Sequence, residues 1–177
     1  VRAKAFDAEY CCAGIDAVVE PVNFNSPGQI VIAGSAEGVR LAGEALTAEK
    51  ARVMALPVSA PFHSSLMRPA EERLAPVLAS VAFSDPRVPV YVNVDAAPVT
   101  AGGAARDALV RQVSRAVRWD EAVAAMIADG VGLFVEIGPG KVLTGLLKRI
   151  DKNATAISVQ NMAELAAARA ALRAARG

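Results

Sequence analysis

The alternation of short apolar segments with helical segments constrains the fold more than any other feature of this sequence. Apolar, β-branched runs such as "QIVIAG" (29–34), "VGLFVEIG" (131–138) and "ATAISV" (154–159) are separated by segments with helical spacing. Runs of this kind, bounded by glycine turns, are typical of buried strands. Strands that alternate with helices predict a mostly parallel sheet covered by helices. The predicted fold class is therefore α/β.

The first third of the chain predicts a small subdomain of its own. Strands are predicted at "AVVEPVNF" (17–24), at 29–34 and at "ARVMALPVS" (51–59), and Ser35 is a typical N-cap for a helix before the third strand. Strand, strand, helix, strand is part of a ferredoxin-like arrangement. The residues before the first strand are too few for a further strand and helix, so we expect an incomplete ferredoxin-like small subdomain over residues 1–58.

From residue 59 onward the pattern predicts a second subdomain, over 59–177. A helix is expected through 64–81 and a strand at 88–94, followed by a long helical stretch (104–130) with a break near Val117. The strands at 131–138 and 154–159 then flank one helix, and a last helix ends the chain. This order predicts helices packed on a mostly parallel sheet.

Composition excludes several functional classes. Hydrophobic residues make up 54% of the chain and charged residues 21%, which is typical of a folded globular protein. The net charge of +1 offers no general electrostatic case for nucleic acid, and the basic cluster at 111–118 is interpreted as a solvated helix face. No apolar run approaches the roughly 18 residues of a membrane span. We therefore expect neither nucleic acid nor a membrane as a partner.

Cysteine and histidine usage argues against a metal site. Cys11 and Cys12 are adjacent and His63 is the only histidine, so no spaced ligand set exists. The cysteines fit a reducing compartment, and the start of the chain lacks the apolar core of a signal peptide. A cytoplasmic location is expected. The first residue is Val and not Met, which suggests that these residues begin inside a longer chain.

His63 lies in "SAPFHSSLM" (59–67), at a predicted strand-to-helix junction where α/β sheets place ligand crevices. From the residues alone, a catalytic base and a structural side chain both remain open. The turn "GPGKVLTGL" (138–146) also has two interpretations, an anion site at a helix N-terminus or a tight turn between strand and helix. Its glycine spacing matches neither a P-loop nor a dinucleotide-binding motif.

Four blocks, in order, resemble one family. They are "PVNFNSPGQIVIAG" (21–34), "LPVSAPFHSSLM" (56–67), "PVYVNVDA" (89–96) and "FVEIGPGKVLTGLLKRI" (134–150). Together they resemble the C-terminal part of the malonyl-CoA:acyl-carrier-protein malonyltransferases of bacterial fatty acid synthesis, to which acyltransferase domains of polyketide synthases are related. The resemblance implies that residues 59–177 are the C-terminal portion of an α/β-hydrolase-like large subdomain.

The resemblance also implies a reaction. In that family a serine in a G-x-S-x-G elbow takes malonyl from malonyl-CoA and passes it to the phosphopantetheine thiol of acyl carrier protein, without a metal or redox cofactor. His63 matches the family's histidine, which acts as general base and then as general acid. Gln112 matches the residue whose backbone carbonyl orients that histidine.

Five further positions match family positions with other roles. Phe62 matches the residue associated with malonyl over methylmalonyl units. Asn23 and Asn25 match polar positions that line the cleft near the pantetheine arm. Arg52, with Lys50 close by, lies where the family presents positive charge to the acidic carrier protein.

The sequence departs from the family at the nucleophile. No serine in these 177 residues has glycine at both the second position before it and the second after it. We therefore expect the chain to supply the base and to be inactive alone. Two alternatives remain: a non-catalytic half-protein or interaction module that complements a separate N-terminal half, and a serine hydrolase that pairs Ser64 or Ser65 with His63.

Overall fold

The predicted alternation of strands and helices is present in the computed structural model, which describes residues 5–174. The fold class is α/β, as predicted, and the chain divides into two units, Val1–Ala122 and Val123–Gly177. The subdomain boundary predicted between residues 58 and 59 stays a prediction.

The described part of the first unit, from residue 5 onward, contains five strands and most of the helices. The helices are α1 (Ala5–Ala13), α2 (Ala36–Ala48), α3 (Arg68–Ala79) and α4 (Gly102–Arg111), followed by α5 (Trp119–Ala128), within which the unit boundary falls. The strands are β1 (Val19–Ser26), β2 (Gln29–Gly34), β3 (Val90–Val92), β4 (Ala97–Val99) and β5 (Val117–Arg118). A 3₁₀ turn, Ser65–Met67, precedes α3. Within residues 5–174, no helix combines the length and apolar character that crossing a membrane requires.

β1 is the central strand of a three-stranded sheet with the order β2-β1-β5. It pairs antiparallel with β2 and parallel with β5, whose Val117 lies opposite Asn23. Helix α2 begins where the sequence predicts, because the Ser35 hydroxyl accepts a hydrogen bond from the Gly38 N–H at 3.0 Å. Cys12, Val19 and Ala42 join α1, β1 and α2 in a buried core. The sheet and its two helices therefore hold β1 firmly.

The predicted third strand, residues 51–59, is wrong. Residues 51–58 form no strand, and their large apolar side chains are exposed, including Met54 at 70% and Val58 at 63%. β1 already has β2 and β5 on its two sides. The short β5 lies at Val117, where the sequence predicted only a break in a helical stretch, and it pairs with β1 on the side opposite β2.

The second unit is a strand-helix-strand unit followed by a helix. It consists of β6 (Leu133–Ile137), α6 (Val142–Ile150), β7 (Thr155–Val159) and α7 (Met162–Ala174). β6 and β7 pair in parallel over their whole length, as predicted. Helix α6 connects them and buries Leu146 and Leu147. Parallel neighbours need a crossover connection of this kind.

Candidate active site

His63 lies in the loop before α3 with a left-handed backbone, φ 64°. A residue with a side chain adopts this conformation at a cost of about 1 kcal/mol or more, so neighbouring contacts must hold it. On one side, the Ser64 hydroxyl donates to the Pro61 carbonyl at 2.7 Å, and Ser64 is fully buried. The local chain therefore fixes the direction in which the imidazole leaves the backbone.

The imidazole of His63 contacts the end of helix α4. Its Nδ1 lies 2.8 Å from the carbonyl oxygen of Gln112, the C-cap residue of that helix. Carbonyls at a helix C-terminus lack an intrahelical donor, and a carbonyl can only accept. Nδ1 therefore carries the hydrogen, and in the neutral ring Nε2 keeps its lone pair. His63 is thus arranged to act as a base through Nε2.

A cavity of about 530 Å³ opens beside His63. Half of its ten lining residues are charged, namely Glu20, Arg68, Glu71, Glu72 and Arg115. Two of the carboxylates accept hydrogen bonds from serine hydroxyls, Glu20 from Ser65 and Glu71 from Ser114. Both contacts join segments more than 40 residues apart in sequence: the separations are 45 and 43 residues.

Sequence reasoning missed these lining residues. Nothing in the spacing of Glu20 and Ser65 indicates that they meet, because only the tertiary fold brings β1 to the loop. For Arg115 the sequence does contain a signal, the basic cluster at 111–118, but its pattern predicts a solvated helix face. Helix α4 ends before Arg115, which lines the cavity instead.

The other arginines of that cluster are paired on the surface. Arg111 contacts both carboxylate oxygens of Asp95, at 2.6 and 2.7 Å, and Arg118 contacts Glu121. The hydrogen bond from Arg111 is the main reason that the pKa of Asp95 lies below its usual value. The Asp95–Arg111 pair therefore joins the β3–β4 turn to the end of α4, next to Gln112.

The serines that follow His63 do not serve it as nucleophiles. Ser64 is buried with its hydroxyl on Pro61, and the Ser65 hydroxyl donates to Glu20. Neither hydroxyl is hydrogen-bonded to the imidazole, as a nucleophile–base pair requires. The structure gives no support to the hydrolase alternative.

The structure brings His63 and Gln112 together, but not the other predicted pocket residues. Phe62 precedes His63 and is 50% exposed. Asn23 and Asn25 lie on β1 with partly buried side chains, and none of the three lines the cavity beside His63. Their roles in substrate binding stay predictions.

Lys50 and Arg52 follow helix α2 and are exposed. Lys50 has a left-handed backbone, φ 63°, which ends the helix. Within residues 5–174, neither side chain forms an ion pair. Two free cations close together fit a surface for an acidic partner, and that role also stays a prediction.

The glycine turn before α6 is a structural turn and not a vacant anion site. The N–H groups of Leu143 and Thr144 donate to the carboxylate of Glu136, at 3.0 and 2.8 Å, and the Gly140 N–H donates to Gln160. The hydrogen bond from Thr144 is the main reason that the pKa of Glu136 is lowered. The start of α6 is therefore occupied by a carboxylate of the chain itself.

The sequence matches the family described as the acyl transferase domain over residues 3–170, nearly the whole chain. The chain belongs to this family. The malonyl CoA-acyl carrier protein transacylase of Escherichia coli strain K12 is 53% identical over 152 residues, which is 85% of this chain and 49% of that protein. The chain thus spans about half the length of the curated relatives it matches.

Solved structures of acyl transferases show the same fold. The S-malonyltransferase of Burkholderia pseudomallei superposes with a TM-score of 0.89 at 45% identity, over 94% of this chain and 55% of that one. A malonyl-transacylase in complex with a type II polyketide acyl carrier protein superposes with a TM-score of 0.91 at 45% identity, with the same coverage. The resemblance to malonyltransferases stated from the four sequence blocks is confirmed.

Proposed function

We propose that this acyl transferase chain supplies the histidine base of a malonyltransferase, which moves malonyl from malonyl-CoA to acyl carrier protein in fatty acid synthesis. The observation that carries the proposal is the 2.8 Å contact between His63 Nδ1 and the Gln112 carbonyl. It leaves Nε2 unprotonated, as a general base requires. The relatives described above are named as malonyl transacylases or S-malonyltransferases. We extend that reaction to this chain as part of the proposal.

In the first half of the reaction, His63 takes a proton from a serine. The serine oxygen attacks the thioester carbonyl of malonyl-CoA, its proton passes to Nε2, and a tetrahedral intermediate forms. The C–S bond then breaks, and the departing CoA sulfur takes the proton from Nε2. The products are a malonyl-serine ester and free CoA.

The second half of the reaction runs the same steps with the carrier protein's thiol. The thiol gives its proton to Nε2 and attacks the ester, a C–S bond forms, the C–O bond breaks, and the serine recovers the proton. No metal or redox cofactor takes part in this scheme. The setting that we propose is the cytoplasm of a bacterium.

The serine comes from outside these 177 residues, since none of them forms a G-x-S-x-G elbow. The proposal therefore includes inactivity of the chain alone. Phe62 would narrow the acyl pocket, Asn23 and Asn25 would line the pantetheine path, and Lys50 with Arg52 would receive the acidic carrier protein. The predicted subdomains, 1–58 and 59–177, belong to the same proposal.

The test is transfer of labelled malonyl from malonyl-CoA to carrier protein. The chain is assayed alone and together with an acyl transferase segment that carries the G-x-S-x-G serine. We expect transfer only with the added segment. The variant His63→Asn suits the left-handed backbone at position 63 and removes the base, so we expect transfer to fall about 1,000-fold.

The matched control is Glu44→Ala, which removes an exposed carboxylate paired with Arg40 on helix α2. Its transfer rate should equal that of the unmodified chain. Transfer by the chain alone would contradict the account of the nucleophile. Binding of the added segment without any transfer would contradict the catalytic proposal and favour a non-catalytic interaction module.

A further inference from the structure

Glu20 is the residue on which this inference rests. It lies on the central strand β1 beside the buried Val19, and its carboxylate lines the same cavity as His63. Both donors of Ser65 reach it: the backbone N–H contacts Oε2 at 2.9 Å, and the hydroxyl contacts Oε1. One carboxylate thus holds both the backbone and the side chain of a residue two positions after the histidine.

The contact takes the place of a helix cap. Ser64 is the N-cap of the 3₁₀ turn that starts α3, but its side chain makes no capping bond because its hydroxyl is directed to Pro61. The first N–H groups of a helix have no intrahelical partner and favour a negative charge nearby. Glu20 supplies that charge from a strand 45 residues away in sequence.

His63 lies between two fixed points. Pro61, before it, accepts the bond from the Ser64 hydroxyl, which closes a turn across His63, and Ser65, after it, donates to Glu20. Its left-handed backbone persists only while the surroundings enforce it. If the contact to Glu20 is lost, the backbone can relax to an ordinary φ. The ring would then turn away from the carbonyl of Gln112.

We propose that Glu20 is a positioning residue for His63, which keeps the imidazole in the Nδ1–H form by holding Ser65. For the reaction itself the proposal rests on the function proposed above. The tautomer of His63, however, can be measured without any turnover. Failure of the one proposal is therefore distinguishable from failure of the other.

The first measurement uses the fact that the chain has one histidine. After labelling with ¹⁵N-histidine, a single ring reports its two nitrogens by NMR without overlap. In the unmodified chain we expect a hydrogen on Nδ1 and none on Nε2. In Glu20→Ala we expect the mixture of tautomers that a free imidazole shows. In Glu44→Ala, the control, we expect no change.

The second measurement is the transfer assay with the serine-bearing segment. For Glu20→Ala we expect kcat to fall about 10-fold while KM for malonyl-CoA changes less than about twofold, since only the orientation of the base is altered. Ser65→Ala removes one of the two donors and should have a smaller effect of the same kind. In the double variant the two effects should not add, because both remove one contact.

Circular dichroism identifies variants that fail to fold, and for those Ser65→Ala and Glu20→Gln take the place of Glu20→Ala. A folded Glu20 variant that keeps the Nδ1–H signal of the unmodified chain overturns the proposal. Additive losses for Glu20→Ala and Ser65→Ala overturn it as well. If the unmodified chain shows the expected tautomer but no transfer with the added segment, the proposed function fails while the positioning role of Glu20 is still decided by the NMR result.

Discussion

Two helix starts in this chain are each held by a glutamate on a β-strand, but the partners lie at very different separations in sequence. In the second unit, Glu136 on β6 accepts from Leu143 and Thr144, seven and eight residues later. In the first unit, Glu20 on β1 accepts from Ser65, 45 residues later. The contact at Glu136 joins neighbouring segments of the chain, whereas the contact at Glu20 forms only when the tertiary fold brings β1 to the loop that holds Ser65.

The difference in separation has an energetic consequence. Closing a flexible loop of 45 residues costs about 1.5 kcal/mol more than closing one of seven or eight, because the cost rises with the logarithm of length. The contact at Glu20 must therefore be supported by the packing that fixes β1 and by the end of helix α4. The contact at Glu136 depends on little beyond its own strand and helix. The first region should be sensitive to distant substitutions and the second should not.

The largest effect is expected from Gly102→Ala, at the start of α4, the helix whose C-cap residue is Gln112. A Cβ at Gly102 would lie 2.6 Å from the Phe83 carbonyl oxygen and 2.8 Å from that of Ser84, both of them backbone atoms. We expect the free energy of unfolding to fall by about 3 kcal/mol, as overpacking against backbone does. Urea denaturation followed by circular dichroism measures the change.

The neighbouring Gly103 is the matched control, because a Cβ there would meet nothing within 4 Å. Gly103→Ala should leave stability unchanged or raise it by about 0.5 kcal/mol, since alanine is the better helix former. Equal losses in the free energy of unfolding for the two variants would mean that the close approach of backbone atoms at Gly102 does not affect stability.

A smaller effect is expected from Glu136→Ala, which removes the local contact. At neutral pH the loss should be about 1 kcal/mol, as for other helix-capping groups. Hydrogen bonds, foremost from Thr144, lower the pKa of Glu136 from its model-peptide value of 4.5. The stabilisation is therefore complete above pH 4.5 and is lost as the pH falls through the lowered value.

Urea denaturation of Glu136→Ala and the unmodified chain across this acidic range tests the sign. The two free energies of unfolding should converge as the pH falls. A difference that persists unchanged at low pH would show that the carboxylate charge is not what stabilises α6. The His63 ring signals should be the same in both proteins at neutral pH, because Glu136 takes part in none of the contacts described at His63.

The contrast between the two regions also explains what could be predicted from the sequence. The predictions of the cap at Ser35 and of the β6-α6-β7 unit were correct. The cap depends on residues three positions apart, and the two strands are joined by a single helix, so local patterns indicate both. The contact of His63 with Gln112 was expected only through the family resemblance, since the two residues lie 49 positions apart. Neither spacing nor periodicity indicates such a pair.

Errors arose where tertiary pairing overrides local pattern. Residues 51–59 have the apolar composition of a strand, yet no described strand pairs with residues 51–58. The place beside β1 is taken by β5, which is only two residues long and lies in a stretch of helical spacing. The role of Glu20 was missed for the same reason, since a glutamate in a strand has no local feature that indicates its partner.

The smallest effect is expected from Asp95→Asn, which breaks the two-point contact with Arg111 beside Gln112. Both side chains are more than a third exposed, at 39% and 35%, so solvent weakens the pair and we expect a loss of about 0.5 kcal/mol. Arg111 lowers the pKa of Asp95, so this stabilisation is present above the usual value of 3.8 and is lost as the pH falls through the lowered value.

Thermal denaturation at low and high salt measures this loss, which should shrink as salt screens the pair. Asp107→Asn is the control, because its contact with Arg106 is longer, at 3.1 Å, and joins adjacent residues. A change in the His63 tautomer in Asp95→Asn would show that the set of residues that position His63 includes the β3–β4 turn. No change in the tautomer would limit that set to Glu20, Ser65 and Gln112.

The exposed segment 51–58 is a site at which the chain can be cleaved. Its backbone belongs to no strand or helix, so a protease can reach it, and cleavage there removes none of the contacts described at His63. The two pieces would remain joined by the β1–β5 pairing and by the bonds between Glu20 and Ser65. The position of His63 therefore depends on noncovalent contacts and not on an intact backbone through residues 51–58. We expect new chain termini between residues 53 and 58 to leave that geometry unchanged.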